Sequence, residues 1–151
     1  MTAFLAASHI IGGLSLLMAW FRGGRPERFG AGVLLLNQMT VSYYDGWLVG
    51  AFEPGTAADD IILMLVFGMM ALTSRRWWPL VVTATLALCV VVHGLALVTS
   101  MTHYASVSAR IGLWTVIQLA LAAGVLERWL AGERPAADSA VWSRRRRTLT
   151  S

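Results

Sequence analysis

The sequence predicts an all-α membrane protein: a polytopic bundle of five transmembrane helices, N-terminus outside and C-terminus inside. Three observations lead there. Five apolar stretches alternate with short hydrophilic connections. The 151 residues are 57% hydrophobic and 13% charged, with a mean hydropathy of +0.64, too apolar for an ordinary soluble domain of this length. The arginines fall almost wholly on alternate connections, the pattern that orients membrane helices.

The first stretch, 3–21, carries no basic residue ahead of it; Arg22, Arg25 and Arg28 follow it instead. A cleaved signal peptide needs the opposite order and a small-residue cleavage site, so this stretch reads as an uncleaved helix. The connection RGGRPER leads to the second stretch, 30–52, interrupted by Asn37, Gln38, Tyr43, Tyr44 and Asp45 and the least hydrophobic of the five. EPGTAADD, with Pro-Gly turn chemistry, precedes the third stretch, 58–74. At about 17 residues this one reaches only ~25 Å, short of a ~30 Å hydrocarbon core. Arg75-Arg76-Trp77-Trp78 turns the chain, and Pro79 suits the first turn of the fourth helix, 79–101. THYAS joins it to the fifth, 107–130. Residues 1–131 thus form one transmembrane domain, and 132–151 read as a disordered basic cytoplasmic tail.

Charge decides between four crossings and five. With five, the inner segments hold eleven of the twelve arginines, and only Arg110 falls outside. Omitting the second stretch would split the arginines between the two sides. Trp20, Trp77, Trp78 and Trp129 lie at predicted inner ends and Trp47, Phe52 and Tyr104 at outer ends, as interfacial anchors do. Glu27 and Arg28 read as ordinary loop charges, and Glu127-Arg128 at the inner end of the fifth helix as an interfacial charged pair. These features imply the inner membrane of a bacterial cell.

The net charge of +4 would suggest a nucleic-acid partner in a soluble protein. Here the arginines sit at membrane ends and in the tail, so no nucleic acid is expected. Arg144, Arg145, Arg146 and Arg147 are placed to meet anionic inner-leaflet lipids, at ~1 kcal/mol each near the surface. Other membrane proteins or a second copy of the chain are further candidate partners. The single cysteine, Cys89, excludes an internal disulfide and any paired-cysteine metal motif.

Polar groups inside a bilayer are costly and mark candidate sites. Counted at 1.5 Å per residue from the outer boundary, His9 lies ~9 Å deep, Asp45 ~10 Å and His93 ~12 Å. Arg110 lies nearer the surface, with His103, Glu53, Asp59 and Asp60 around the same mouth. Thr85, Cys89, His93, Ala96 and Ser100 make one small or polar stripe on the fourth helix. Gly46 and Gly50, in a G-x-x-x-G spacing, are expected to offer a smooth packing surface on the second.

His9, Asp45, His93 and Arg110 therefore form the candidate intramembrane site. A His–Asp pair could relay protons, and two histidines could hold haem axially. A metal site is disfavoured because the spacing lacks H-x-x-x-H or H-E-x-x-H, and no catalytic motif, P-loop or dinucleotide fingerprint occurs. In length and helix number the chain resembles the tryptophan-rich sensory proteins, which bind porphyrin and cholesterol. That family's proline- and tryptophan-rich signature near the first loop is replaced by RGGRPER, so no binding residues carry over. The expected function is a non-enzymatic accessory or scaffold component with no cofactor. The alternatives are a small-solute or proton-handling protein with a periplasm-facing polar site, then a haem-binding protein or a holin. Five crossings and buried polar residues argue against a holin.

Overall fold

A computed structural model describes residues 2–44, 47–50, 52–99 and 102–133. It is all-helical: α1 (Thr2–Arg22), α2 (Arg25–Tyr44), α3 (Pro54–Thr73), α4 (Trp78–Val98) and α5 (His103–Leu130). Four of these, α1, α3, α4 and α5, are long and apolar enough to cross a membrane. Their outward faces carry Ile10, Leu14, Leu65, Met69, Leu88 and Val91, all exposed. So much exposed apolar surface suits hydrocarbon rather than water, and helices satisfy their own backbone hydrogen bonds there.

The boundaries depart from the sequence reading where polar residues open helices. Pro54 starts α3 from Glu53 as its N-cap, since proline's missing N–H costs nothing in a first turn. That adds the first turns of EPGTAADD to the helix. At 20 residues α3 reaches ~30 Å, and the expected short span disappears. Thr102 caps α5 by accepting from the Ala105 amide, so THYAS forms most of that helix's first turn. Only Gly23 and Gly24 separate α1 from α2, which ends at Tyr44 rather than running to 52.

Gly50 is therefore not on a helix. It sits at φ +65° in a tight turn where the Val49 and Phe52 backbones exchange hydrogen bonds of 2.9 and 3.1 Å. A left-handed conformation of this kind favours glycine. Asp45 and Gly46 lie outside the described residues, as do Ser100 and the Arg144–Arg147 run.

The helices alternate in direction. Backbone approach is most extensive between α3 and α4, α4 and α5, and α1 and α5; α2 touches α1, α3 and α5 more sparsely. Phe67, Trp78, Val82, Leu86, Ile117 and Leu121 form a fully buried core. The start of α2, the end of α5 and the α3–α4 connection meet at one end, rich in arginine. The end of α2 and the starts of α3 and α5 meet at the other, which is acidic.

The arginine-rich end holds the main surprise. Trp78, expected at the interface, is completely buried. Glycines admit it: a Cβ on Gly30 would lie 2.6 Å from its ring, and one on Gly124 would lie 2.7 Å from its Cγ. Its Nε1 donates to Glu27 Oε1 at 3.3 Å, while the Gly24 amide donates to Glu27 Oε2 at 2.8 Å. Arg128 and Arg76 approach the same carboxylate at 3.6 and 3.8 Å. Glu27 is thus no loop charge but a wholly buried carboxylate. Arg128 is also buried, and the Glu127 carboxylate accepts from Trp77 Nε1 at 2.5 Å.

The end of α5 reinforces this cluster. Gly132, at φ +71°, donates to the Trp129 carbonyl, and Glu133 donates to that of Arg128. This double closure after a left-handed residue turns the chain back over the last helical turn. The Glu133 carboxylate then meets Arg76 at 2.5 Å and Arg128 at 3.3 Å. Residues 132 and 133 thus fold back against the end of α5.

Candidate functional site

A cavity of about 520 Å³ occupies the acidic half of the bundle, between α1, α2, α3 and α5. That size falls in the range of small-molecule sites, ~300–1,000 Å³. Along α5 it runs from His103 to Gln118, ~22 Å at 1.5 Å per residue. Its origin is visible in α2. The buried positions Glu27, Gly30, Ala31, Leu34 and Asn37 form one helical stripe that stops at Asn37. Beyond it Gln38, Met39, Ser42 and Tyr43 are exposed, so the second half of α2 has no apolar seam to draw it inward.

Apolar walls come from Leu5, Leu16, Val41, Val107, Ile111 and Trp114. The polar groups fall into three sets. Near the mouth, Arg110 donates to Glu53 at 2.7 Å and to Thr56 at 3.0 Å, and His103 lies 3.4 Å from the other Glu53 oxygen. Burial works against the Glu53 carboxylate, but Arg110, Thr56 and His103 outweigh it and hold its pKa below the ordinary 4.5.

Deeper, two adjacent carboxylates line the cavity from α3. Tyr44 hydroxyl donates to Asp59, joining the end of α2 to α3. Asp60 is 3% exposed and lies 3.1 Å from Nε2 of the equally buried His93. Phe52 stands edge-on to that histidine ring. The third set comprises Asn37 and Gln118, 6% and 9% exposed, whose side-chain oxygens are buried with no hydrogen-bond partner. Native structures rarely leave such acceptors unmet.

The expected quartet is only partly assembled here. His9 and Arg110 both line the cavity, and His9 Nδ1 also bonds the Leu5 carbonyl at 2.7 Å. His93 stands behind Asp60 and does not line it. Among the described residues, α1 and α4 never approach within 8 Å between Cα atoms, so His9 and His93 are not brought together. No group of three or more His, Cys, Asp or Glu placed to hold a metal occurs among the described residues. The stripe Thr85, Cys89, His93 and Ala96 is buried as its spacing predicts.

Asp60 is the residue the sequence undervalued. The sequence placed it around the mouth, near the start of the third stretch, and the earlier start of α3 carries it into the bundle. The signal available was Pro54, a helix-opening residue six positions ahead. Asn37 and Gln118 were legible as polar residues in apolar stretches, though nothing showed that they share one space. No known protein family matches the chain, and neither does any curated protein or solved structure.

Proposed function

We propose that this chain is a membrane-embedded binding protein for a small solute, acting without chemical turnover. One observation carries the reading: a cavity of about 520 Å³ among the helices is lined by polar side chains of α1, α2, α3 and α5 as well as by apolar walls. Polar groups at that depth are costly unless a solute or water completes them. An accessory or scaffold role would leave the cavity unexplained, since packing alone favours filling it.

The proposed placement is five crossings in a bacterial inner membrane, with α2 as the least apolar span. The arginine-rich end faces the cytoplasm against anionic lipid and the acidic end faces the periplasm. Supporting this, α2 joins both ends of the bundle: Glu27 near its start meets Arg128, and Tyr44 at its end meets Asp59.

Cysteine labelling in intact cells tests placement and access together, after Cys89→Ala removes the one native thiol. Val107→Cys, on the cavity wall, should react with a membrane-impermeant maleimide added outside. Leu119→Cys, exposed on the outer face of α5, should not. Labelling of Val107→Cys only in inverted vesicles would reverse the orientation. No labelling from either side would remove the solute site.

A further inference from the structure

Resting on that reading, we infer that the solute is drawn from the bilayer: an uncharged amphiphile that enters sideways, between α1 and α2. Which lining residues are exposed sets the side on which the cavity opens. Those from α3 and α5 are buried or half-buried, except His103 at the mouth. The exposed ones are Leu5, His9 and Gly13 of α1 and Gln38 of α2. Although only two glycines join these helices, they touch sparsely, and a Cβ on Gly13 would meet nothing within 4 Å. In the proposed placement this edge lies in hydrocarbon. At 1.5 Å per residue, His9 is ~10 Å from the start of α1 and Gln38 ~9 Å from the end of α2. Gly13 is ~16 Å in, about midway through a ~30 Å core. An opening at that level meets molecules dissolved in the outer leaflet.

The side chains narrow the class. Each carboxylate on the lining has a partner: Glu53 has Arg110, Asp59 has Tyr44 and Asp60 has His93. A charged solute therefore finds no counter-charge held for it. The open polar groups stand at the lateral edge instead. The Leu5 carbonyl can only accept, so His9 Nδ1 donates to it, and the neutral ring keeps Nε2 as an acceptor. Gln38 adds an exposed amide at the same level. Polar groups facing hydrocarbon are costly, and a hydroxyl on an apolar body would meet them. Leu16, Ile111 and Trp114 offer apolar surface to that body.

The test uses 1-hexadecanol carrying a mid-chain diazirine, and its methyl ether, each dissolved in zwitterionic nanodiscs holding the full chain. After irradiation, adducts are mapped by mass spectrometry. Leu14 and Leu88, exposed on outward faces, report plain contact with dissolved probe. Adducts at Leu16, Ile111 and Trp114 should be displaced by excess unlabelled 1-hexadecanol, while those at Leu14 and Leu88 persist. Gly13→Trp should lower the cavity adducts about tenfold, as a bulky ring in a fitted space does, without changing the outward ones. Should that variant fail to fold, Gln38→Trp obstructs the other edge and gives the same reading. The alcohol should exceed the ether by about two- to tenfold, the range of one hydrogen bond, and His9→Leu should erase the difference. Equal labelling by alcohol and ether overturns the hydroxyl assignment. Cavity adducts that excess alcohol cannot displace, or that survive both tryptophan variants, overturn entry from the bilayer. An absence of cavity adducts overturns it too, and labelling of Val107→Cys then separates a water-borne solute from no solute site at all.

Discussion

The two ends of this bundle are built from the same helices and packed in opposite ways. At the arginine-rich end Trp78 fills the space between Gly30 and Gly124, and one carboxylate gathers Gly24, Trp78, Arg76 and Arg128. At the acidic end the helices stand around a cavity of about 520 Å³ lined by polar and apolar side chains. α2 connects the two. Its inward stripe holds the first half against the core and ends at Asn37, where the cavity begins. The contrast separates tasks: one end fixes the fold, which lets the other keep polar groups that packing would otherwise expel.

Breaking the closed end should have the largest effect. Arg128→Met removes one cation from a carboxylate that remains fully buried, and such one-sided losses cost about 3–5 kcal/mol. A pronounced fall in thermal midpoint and in membrane abundance is expected. The double variant with Glu27→Gln should recover part of it, because the stranded charge is then gone. An Arg128→Met protein as stable as the parent would show that the cluster does not hold the fold.

A smaller effect is expected from a single methyl group. Gly124→Ala drives a Cβ into the Trp78 ring, and overpacking of this kind costs about 1–3 kcal/mol. Gly13→Ala, at the open end, meets nothing within 4 Å and should be neutral or slightly stabilising through its better helix propensity. Thermal unfolding of the two variants measures the contrast directly. Equal destabilisation at both positions would mean that the ends do not differ in packing.

How much of this was legible in the sequence follows from the range of the forces involved. Apolar runs are local properties, and the five helices were found from them, although only α1, α3, α4 and α5 are long and apolar enough to cross a membrane. The buried stripe of α4 followed from spacing alone. Glu27 and Trp78 were misread because burial at a helix end depends on what arrives from elsewhere in the chain. A carboxylate in RGGRPER looks solvated until Arg128, 101 positions on, is known to face it. Asp60 was misplaced for the complementary reason. Its acidic neighbourhood outweighed Pro54, although a first-turn proline is the more reliable sign of where a helix begins.

The smallest expected effect concerns the mouth of the open end. Glu53 is held below the ordinary carboxylate pKa of 4.5, by Arg110, Thr56 and His103 against the opposing effect of burial. A lowered folded-state pKa means that the folded protein binds this proton less readily than the unfolded chain does. The stabilisation is therefore complete above pH 4.5 and is lost as pH falls through the lower, folded-state value. Thermal midpoints of the parent and of Glu53→Gln, taken from pH 7 down to pH 3, isolate this group from the other carboxylates. The advantage of the parent should shrink as pH falls below 4.5. Because Glu53 is partly exposed at the rim, the change should remain smaller than either effect at the closed end. An advantage that grows as pH falls below 4.5 would have the wrong sign for a carboxylate stabilised by Arg110, and would place the Glu53–Arg110 pair outside the forces that shape the mouth.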